Sequence, residues 1–432
     1  MKRTLPFLFF IILIFNNHGY SQDLEYAKRL VHILASDSME GRGYQGDADL
    51  KAATLIRDEF ERLGLKPFRK DYFQPVFISI NSIVGPTHCE VDGKVLEPGV
   101  DYFISARSVG TKSTYSLVWL DHSTAVSKKK LKRFLRQDLS RSLVVISPEV
   151  AADKDLAALR TNLYRGGGTK DVYHSNLAGI VQLSAKPGWH ISDAAIQTQY
   201  LVLQVRDSCL QPGSRHLTLI FRNSFESEYV SHNVIGYVPG TREPDKFVVF
   251  TAHYDHLGKM GEVILPGAND NASGTAMILD LARHYAANPA PWSVAFMAFT
   301  AEERGLVGSI QYTNKPLFPL KQIDVLFNLD MVGSGSDGIT VVNGSVYKRD
   351  FDILDSINRA EGFLKQVKIR GESSNSDHAP FHWKGVKSFF IYTMGDEFRE
   401  YHNVYDRPEG LPFTAYNELF RLLTKYSATI ME

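Results

Sequence analysis

The chain has 432 residues, of which 44% are hydrophobic and 12% are aromatic. This composition is enough for one large core or two medium ones, and it excludes a largely disordered chain. The 48 basic and 48 acidic residues cancel, so the net charge gives no support to nucleic-acid binding.

The first 21 residues are predicted to be a signal peptide. Lys2 and Arg3 form a short positive region, an apolar run follows at 5–15, and small residues place the cleavage after Ser21. An uncleaved anchor is the alternative, but the run is shorter than the roughly 20 residues that span a bilayer. We therefore expect an exported protein, in the bacterial periplasm or secreted. Its mature chain would have a formal charge of −2 and no membrane span.

Residues 22–71 are predicted to be the N-terminal helical part of a catalytic domain. Leu30 and Leu34 share one helical face, and a second apolar helical repeat runs over residues 50–63. A Gly-rich loop between the two helices carries Arg42. This side chain could bind a substrate carboxylate or form a structural salt bridge.

Residues 72–217 are predicted to form an inserted, mostly β domain without chemistry of its own. Short β-prone runs such as LVWL and SLVVIS alternate with polar loops. The basic run at 127–136 is expected to be a solvated surface helix, since the whole chain is neutral. The glycines at 166–168 lack the context of a P-loop and are predicted to be a flexible loop. Cys89 and Cys209 could pair in an oxidising compartment, which the sequence leaves open.

Residues 218–432 alternate strands and helices, which predicts an α/β fold with a mostly parallel, doubly wound sheet flanked by helices. Short apolar runs are typical of strands that are covered on both faces. The predicted strands are 247–252, 293–299, 324–329 and 387–392. Helices are predicted directly after Asp270 and from Tyr416 to Ile430.

Ligand-type side chains follow three of these predicted strands. His253 ends the first, Glu302 and Glu303 follow the second, and Asp330 follows the third. In open α/β sheets, ligands bind outside the carboxyl ends of the strands. We therefore expect these side chains to project into one crevice.

Two further candidates complete a metal site in the sequence. Asp270 lies on a compact Gly-rich loop before a helix, and His402 lies in the late segment REYHNVYDRPE. Two imidazoles and three carboxylates suit zinc, but five ligands are one too many for a single tetrahedral ion. Five ligands are instead expected for two ions that share one carboxylate. Asp270, which lies between the two groups of ligands, is the predicted bridging carboxylate. The predicted ligands of the two Zn²⁺ ions are His253, Asp270, Glu303, Asp330 and His402.

The neighbouring carboxylates are predicted to have other roles. Adjacent residues at a strand end point in different directions, so Glu303 can bind a metal while Glu302 faces the attacking water. Glu302 would take a proton from this water and pass it to the leaving amine. Asp255 would accept the second N–H of His253 and fix the tautomer of that ring.

Six motifs resemble, in order, those of the zinc aminopeptidases with two co-catalytic ions: HYDHLG, GANDNASG, FTAEERGLVGS, NLDMVG, SDHAPF and YHNVYD. That family also contains glutamate carboxypeptidase, glutaminyl cyclase and the non-catalytic transferrin receptor. The resemblance covers the chain from Asn233 to its end, together with the N-terminal helical pair. The inserted segment lies where many members carry a protease-associated domain.

The resemblance implies a ligand set for each zinc ion. His253 and Asp330 would hold one ion, Glu303 and His402 would hold the other, and Asp270 would bridge them. Every one of these ligand positions matches the family pattern.

The resemblance also implies roles for residues that do not bind the metals. Glu302 would be the general base and acid, and Asp255 would support His253. Tyr401 would stabilise the oxyanion through its hydroxyl group, a role that suits a phenol donor. Asp377 and the histidine after it would support the ligands from outside.

An aminopeptidase that acts on peptides is the function that these residues predict. A carboxypeptidase or dipeptidase is the alternative, and it would need Arg42, Arg370 or Arg399 to bind a substrate carboxylate. Glutaminyl cyclase is disfavoured, because its relatives tend to carry Trp where this chain has Tyr401 and they lack the AEERGL context. A non-catalytic binding protein is disfavoured because all five ligands and Glu302 are present.

Overall fold

A computed structural model describes residues 22–165 and 177–432. The predicted signal peptide at 1–21 and the glycines at 166–168 lie outside the described residues. Within the described ranges, no helix combines the length and the apolar character that crossing a membrane requires.

The described residues form strands and helices with the following bounds. The strands are β1 (Phe73–Val91), β2 (Lys94–Leu96), β3 (Tyr102–Ile104), β4 (Thr111–Leu120), β5 (Leu139–Ile146), β6 (Leu177–Ser184), β7 (Leu201–Arg206), β8 (His216–Val238), β9 (Glu243–His253), β10 (Lys259–Met260), β11 (Val263–Ile264), β12 (Trp292–Phe299), β13 (Ile323–Leu329), β14 (Gly338–Val342), β15 (Val367–Ile369) and β16 (Ser388–Met394). The helices are α1 (Leu24–Leu34), α2 (Ala48–Arg62), α3 (His122–Ala125), α4 (Lys128–Leu135), α5 (Pro148–Ala152), α6 (Ala157–Tyr164), α7 (Gly274–Ala287), α8 (Val307–Asn314), α9 (Lys348–Glu361), α10 (His378–Trp383) and α11 (Tyr416–Met431).

The C-terminal half of the chain builds a sheet in the order β15-β14-β16-β13-β9-β12-β8. The four central strands β16, β13, β9 and β12 run parallel to one another, and β8 and β14 are antiparallel to their inner neighbours. These four central strands coincide, within a few residues, with the four that the sequence predicts. The prediction of an α/β fold with a mostly parallel sheet is therefore confirmed.

Helices cover this sheet on both faces, as a doubly wound fold requires. Along β9, Val248 and Phe250 point into a core that α1, α2, α7 and α11 close. The alternate residues Phe247 and Val249 point into a second core, which includes side chains from α8 and α10. Successive side chains of a strand point to opposite faces, so a strand buried on both faces is apolar at every position.

Arg42 joins the N-terminal helices to the loops of the sheet. Its side chain is fully buried and donates hydrogen bonds to the carbonyl oxygens of Leu34, Tyr254 and Pro266 at 2.7–2.8 Å. It also donates to the carbonyl oxygen of Gly267 at 2.7 Å. The guanidinium therefore has a structural role, through main-chain carbonyls rather than through a salt bridge, and it is not placed to bind a substrate.

The segment predicted as an insertion contains β1 to β7 and α3 to α6 among its described residues. Its strands β4, β5, β6 and β7 run parallel, and β8 continues the sheet from β4 to β12. The predicted boundary between residues 217 and 218 therefore falls near the start of a strand that both parts share. The core of this segment includes Leu257 and Met260, which follow β9, so it packs directly on the loops at the end of that strand.

We predict that Arg42→Lys lowers the free energy of unfolding by about 1–3 kcal/mol, the cost of leaving a buried carbonyl without a donor. An ammonium group cannot reach carbonyl groups in the several directions that the guanidinium serves. Denaturant unfolding measures the difference. Arg349→Lys on the exposed face of α9 is the matched control. An unchanged free energy for Arg42→Lys would show that the buried hydrogen bonds contribute nothing to stability.

Candidate metal centre

The register of the central strands brings their carboxyl ends to one edge of the sheet. His253, the last residue of β9, is paired with Phe299, the last residue of β12. Asp330 directly follows β13, and Glu302 and Glu303 come three and four residues after the end of β12. This edge is where ligands bind in open α/β sheets. The structure therefore brings the predicted strand-end residues together.

Two groups of ligand-type atoms lie side by side at this edge. One contains His253, Glu302 and Asp330, and its ligand atoms lie within 4.8 Å of one another. Asp270 lies between this group and the next, because its Oδ1 is 3.3 Å from His253 Nε2 and its Oδ2 is 3.1 Å from His402 Nε2. Each oxygen of one carboxylate thus faces a different imidazole.

The second group contains two histidines. His402 Nε2 lies 3.3 Å from Glu303 Oε2, in addition to its contact with Asp270. His256 Nδ1 lies 2.9 Å from the other oxygen of Glu303 and 4.0 Å from Asp270 Oδ2. His256 belongs to the HYDHLG motif, three residues after His253, but the motif alone predicts no role for it.

The tautomer of His253 is set by a main-chain carbonyl. Its Nδ1 lies 3.1 Å from the carbonyl oxygen of Asp255. A carbonyl can only accept a hydrogen bond, so Nδ1 carries a proton, and Nε2, which faces Asp270 and Asp330, is the nitrogen left to bind a metal. The Asp255 carboxylate is farther from the ring, with Oδ1 at 3.8 Å from Nδ1. Asp255, the residue predicted from the sequence, therefore contacts the His253 ring through its backbone carbonyl group.

The Asp255 carboxylate instead contacts the turn that carries the two glutamates. It accepts hydrogen bonds from the backbone amides of Glu302 at 3.1 Å and Glu303 at 3.4 Å. It also accepts a hydrogen bond from the Tyr44 hydroxyl group at 2.9 Å. Because the carboxylate is fully buried, these donors fix the turn and hence the directions of the two glutamate side chains.

Asp406 fixes the loop that carries Asp270. Its carboxylate accepts the amide N–H groups of Asn269 at 2.8 Å and Asp270 at 3.1 Å. Gly267 has a φ of +63°, and an added Cβ would overlap both the Asp270 carbonyl oxygen and the His256 ring. Only glycine fits at this position. The absence of a side chain at residue 267 therefore lets the Asp270 loop pack against the His256 ring.

A buried chain of hydrogen bonds orients Asp330. Ser376 Oγ donates to Asp330 Oδ2 at 2.8 Å and accepts from Asn328 Nδ2 at 2.8 Å. Asn328 Oδ1 in turn accepts from Thr251 Oγ1 at 2.8 Å. The chain leaves Asp330 Oδ1 without a donor and 3.4 Å from His253 Nε2. That oxygen is therefore free to bind a cation.

The carboxylates change the protonation of both imidazoles. Burial by itself would lower the pKa of His253, but the charge of Asp330 raises it well above its usual value. Burial likewise opposes the charge on His402, and Glu303 and Asp270 together raise the pKa of that ring to about 11. A bound metal would take the place of these ring protons, since a histidine ligand must be neutral.

The pKa values of the two adjacent glutamates, Glu302 and Glu303, are shifted in opposite directions. Burial raises the pKa of Glu302 well above its usual value, against the attraction of His253 and with the help of the Glu303 charge. Burial also acts to raise the pKa of Glu303, but His402 holds it low. When the pKa values of two neighbouring carboxyl groups differ in this way, one group can carry a proton while the other stays ionised. Here Glu302 would carry the proton and Glu303 would stay ionised.

A cleft opens over these groups. Tyr401 stacks on His402, with ring centroids 3.8 Å apart, and is 48% exposed. The cleft is also lined by Met331, Phe390 and Arg370. Among the cationic residues that the carboxypeptidase alternative requires, Arg370 is the one in this cleft, because Arg42 is buried elsewhere and Arg399 pairs with Asp396 on the surface.

The structure places several residues at the site for which the sequence analysis predicted no role. His256 and Asp406 lie inside motifs that the sequence displays, so the motifs themselves were the signal. His190, whose Nδ1 lies 2.8 Å from His402 Nδ1, comes from the inserted segment. Nothing in the sequence connects two histidines that are 212 positions apart.

Comparison with known proteins confirms the resemblance of the motifs. Residues 233–427 match the family described as Peptidase family M28. These residues contain all six of the motifs quoted from the sequence. Aminopeptidase YwaD of Bacillus subtilis (strain 168) is 37% identical over 186 residues, which are 41% of this chain and 39% of that protein. The chain spans well under half the length of the curated relatives it matches.

Solved structures extend the similarity of fold to nearly the whole chain. BSAP, a zinc aminopeptidase from Bacillus subtilis, is similar with a TM-score of 0.69 and 21% identity, over 94% of this chain and 95% of that one. A peptidase M28 precursor from Shewanella amazonensis SB2B has a TM-score of 0.70 and 17% identity, over 94% and 93% of the two chains. At such identities the likeness establishes the fold and leaves function to the site.

We predict that Ser376→Ala lowers the free energy of unfolding by about 1–3 kcal/mol, because the Asn328 amide loses its acceptor in a fully buried position. Urea unfolding of the metal-free protein measures this without a contribution from bound ions. Ser374→Ala, in the exposed part of the same loop, is the control. Equal stability of the two variants would contradict the buried hydrogen-bond chain.

Proposed function

We propose that the protein is a metallopeptidase with two zinc ions at this site. The observation that carries the proposal is the position of Asp270, with one oxygen toward His253 and the other toward His402. His253 and Asp330 would hold one ion, Glu303 and His402 would hold the other, and Asp270 would bridge them.

The residues at the site fit this pair of ions chemically. The donor set is mixed imidazole and carboxylate, which suits zinc. One buried carboxylate oxygen, Asp330 Oδ1, has no hydrogen-bond donor, and a buried charge without a partner is costly. His402 is the better ligand than His256, because it lies on the cleft and its Nε2 faces both Asp270 and Glu303.

Zinc ions bound here would supply Lewis-acid activation of a water molecule and of the scissile carbonyl group. Glu302 lies in the cleft, beside His253 and Asp330, and its backbone amide donates a hydrogen bond to Asp255. It would accept a proton from the attacking water and donate it to the leaving amine. Tyr401, on the cleft wall, would donate a hydrogen bond to the developing oxyanion.

An aminopeptidase is the activity that we propose, acting on the N-terminal residues of peptides in the periplasm or outside the cell. The similarity to aminopeptidase YwaD supports this choice of activity. Export rests on the charged and apolar segment at residues 1–21. We further propose that residues 72–217 form an inserted domain of the protease-associated type, with residues 22–71 and 218–432 forming the catalytic domain.

One observation favours a second activity on the same site. Arg370 lines the cleft with an exposed guanidinium, and its Nη1 lies 3.2 Å from the Tyr392 hydroxyl group. A cation in this position could bind the C-terminal carboxylate of a substrate. A carboxypeptidase or dipeptidase therefore stays the alternative.

The test combines zinc analysis with three forms of one peptide: free at both ends, N-acetylated, and C-terminally amidated. We expect two zinc ions for each chain, cleavage of the free and amidated peptides, and little cleavage of the acetylated one. Cleavage of the acetylated peptide at the same rate as the free peptide would rule out the proposed aminopeptidase activity. Loss of cleavage only for the amidated peptide would favour the carboxypeptidase alternative.

We predict that Glu302→Gln retains zinc while kcat/KM falls by about 10²–10⁴-fold, the usual contribution of general acid–base catalysis. His253→Ala should lose both activity and part of the zinc, because it removes a ligand. Glu262→Gln, at an exposed position, is the matched control for the charge change. Activity that survives in Glu302→Gln would show that this residue is not the base, and full zinc retention in His253→Ala would contradict the ligand assignment.

A further inference from the structure

A short segment of the inserted part lies against the loop that carries His402. This segment, residues 186–190, is part of the connection between β6 and β7. Lys186 Nζ is 2.6 Å from Glu400 Oε2, and the Trp189 backbone amide donates to the His402 carbonyl oxygen at 2.9 Å. The Trp189 indole is buried and donates to the Ile104 carbonyl oxygen at 2.6 Å. The core of the inserted part therefore anchors this contact.

His402 has a backbone conformation that needs such support. Its φ is +53°, in the left-handed region that non-glycine residues seldom adopt unless their surroundings hold them there. Gly188 makes the close approach possible, because an added Cβ would lie only 3.3 Å from the His402 carbonyl oxygen. The segment at 186–190 thus contacts the backbone of His402 at the point where it is strained.

The same segment also contacts the His402 ring. His190 Nδ1 lies 2.8 Å from His402 Nδ1, and the two ring centroids are 4.6 Å apart. In such a pair one nitrogen must donate and the other must accept. A ring that offers Nε2 to a metal carries its proton on Nδ1, so His402 would be the donor and His190 the acceptor. Metal-ligating histidines almost always donate their second N–H to an acceptor that fixes the ring.

We propose that His190 is a positioning residue for the metal centre: it accepts a hydrogen bond from the Nδ1–H group of His402 and so aims Nε2 of that ring at the ion shared with Glu303. The inserted part would then complete the catalytic site, although it supplies no ligand itself. This inference rests on the proposed two-zinc function.

The test uses substitutions at His190, which is exposed to solvent and therefore replaceable without disturbing a core. His190→Phe keeps a ring but removes the acceptor, whereas His190→Asn keeps an oxygen near the position of Nδ1. His216→Phe, at an exposed position of the inserted part, is the matched control. Zinc affinity is measured by chelator competition, and melting temperatures of the metal-free variants report on folding.

We expect His190→Phe to weaken the binding of the zinc ion held by Glu303 and His402 by about 10–100-fold, the usual effect of removing an outer partner of a metal ligand. His190→Asn should recover most of this affinity, and His216→Phe should bind as the parent protein does. Cobalt substitution gives a second readout, because the absorption spectrum of the ion reports its ligand geometry.

Different failures would be distinguishable. Two zinc ions bound with parental affinity by His190→Phe would overturn the inference and leave the proposed function intact. Equal losses in His190→Phe and His190→Asn would also overturn it, since hydrogen-bond acceptance would then be irrelevant. A parent protein that binds no zinc would overturn the proposed function itself.

Discussion

The candidate site depends on several carboxylates that are buried close together. Asp270, Glu303 and Asp330 are at most 9% exposed, and Glu302 lies beside them. Buried like charges repel strongly unless cations or hydrogen-bond donors balance them. Imidazoles and a serine hydroxyl group provide part of that balance, and two zinc ions would provide the rest.

The scaffold also fixes the loops that carry these carboxylates, through backbone groups as much as through side chains. Asp255 and Asp406 accept amide N–H groups from the turn of the glutamates and from the Asp270 loop. Arg42 donates to carbonyl groups of the Asp270 loop. These buried contacts hold the proposed ligands in place before any ion binds, which is the preorganisation that electrostatic catalysis needs.

Much of this arrangement was predictable because it follows from strand periodicity and strand order. The apolar runs of β9, β12 and β13 are buried on both faces, and parallel register carries their ends to one edge. The contacts made by Asp255 and His190 were not predictable. The Asp255 contact depends on whether the carbonyl or the carboxylate of that residue faces His253. The His190 contact depends on how a segment distant in the sequence packs against the metal centre. Neither contact produces a periodic pattern in the sequence.

The central claim is that Asp270 bridges two zinc ions, and crystallography at the zinc absorption edge tests it most directly. We predict two anomalous peaks for each chain, about 3.5–4 Å apart, with one near His253 and Asp330 and the other near Glu303 and His402. A single peak, or a pair that does not flank the Asp270 carboxylate, would contradict it.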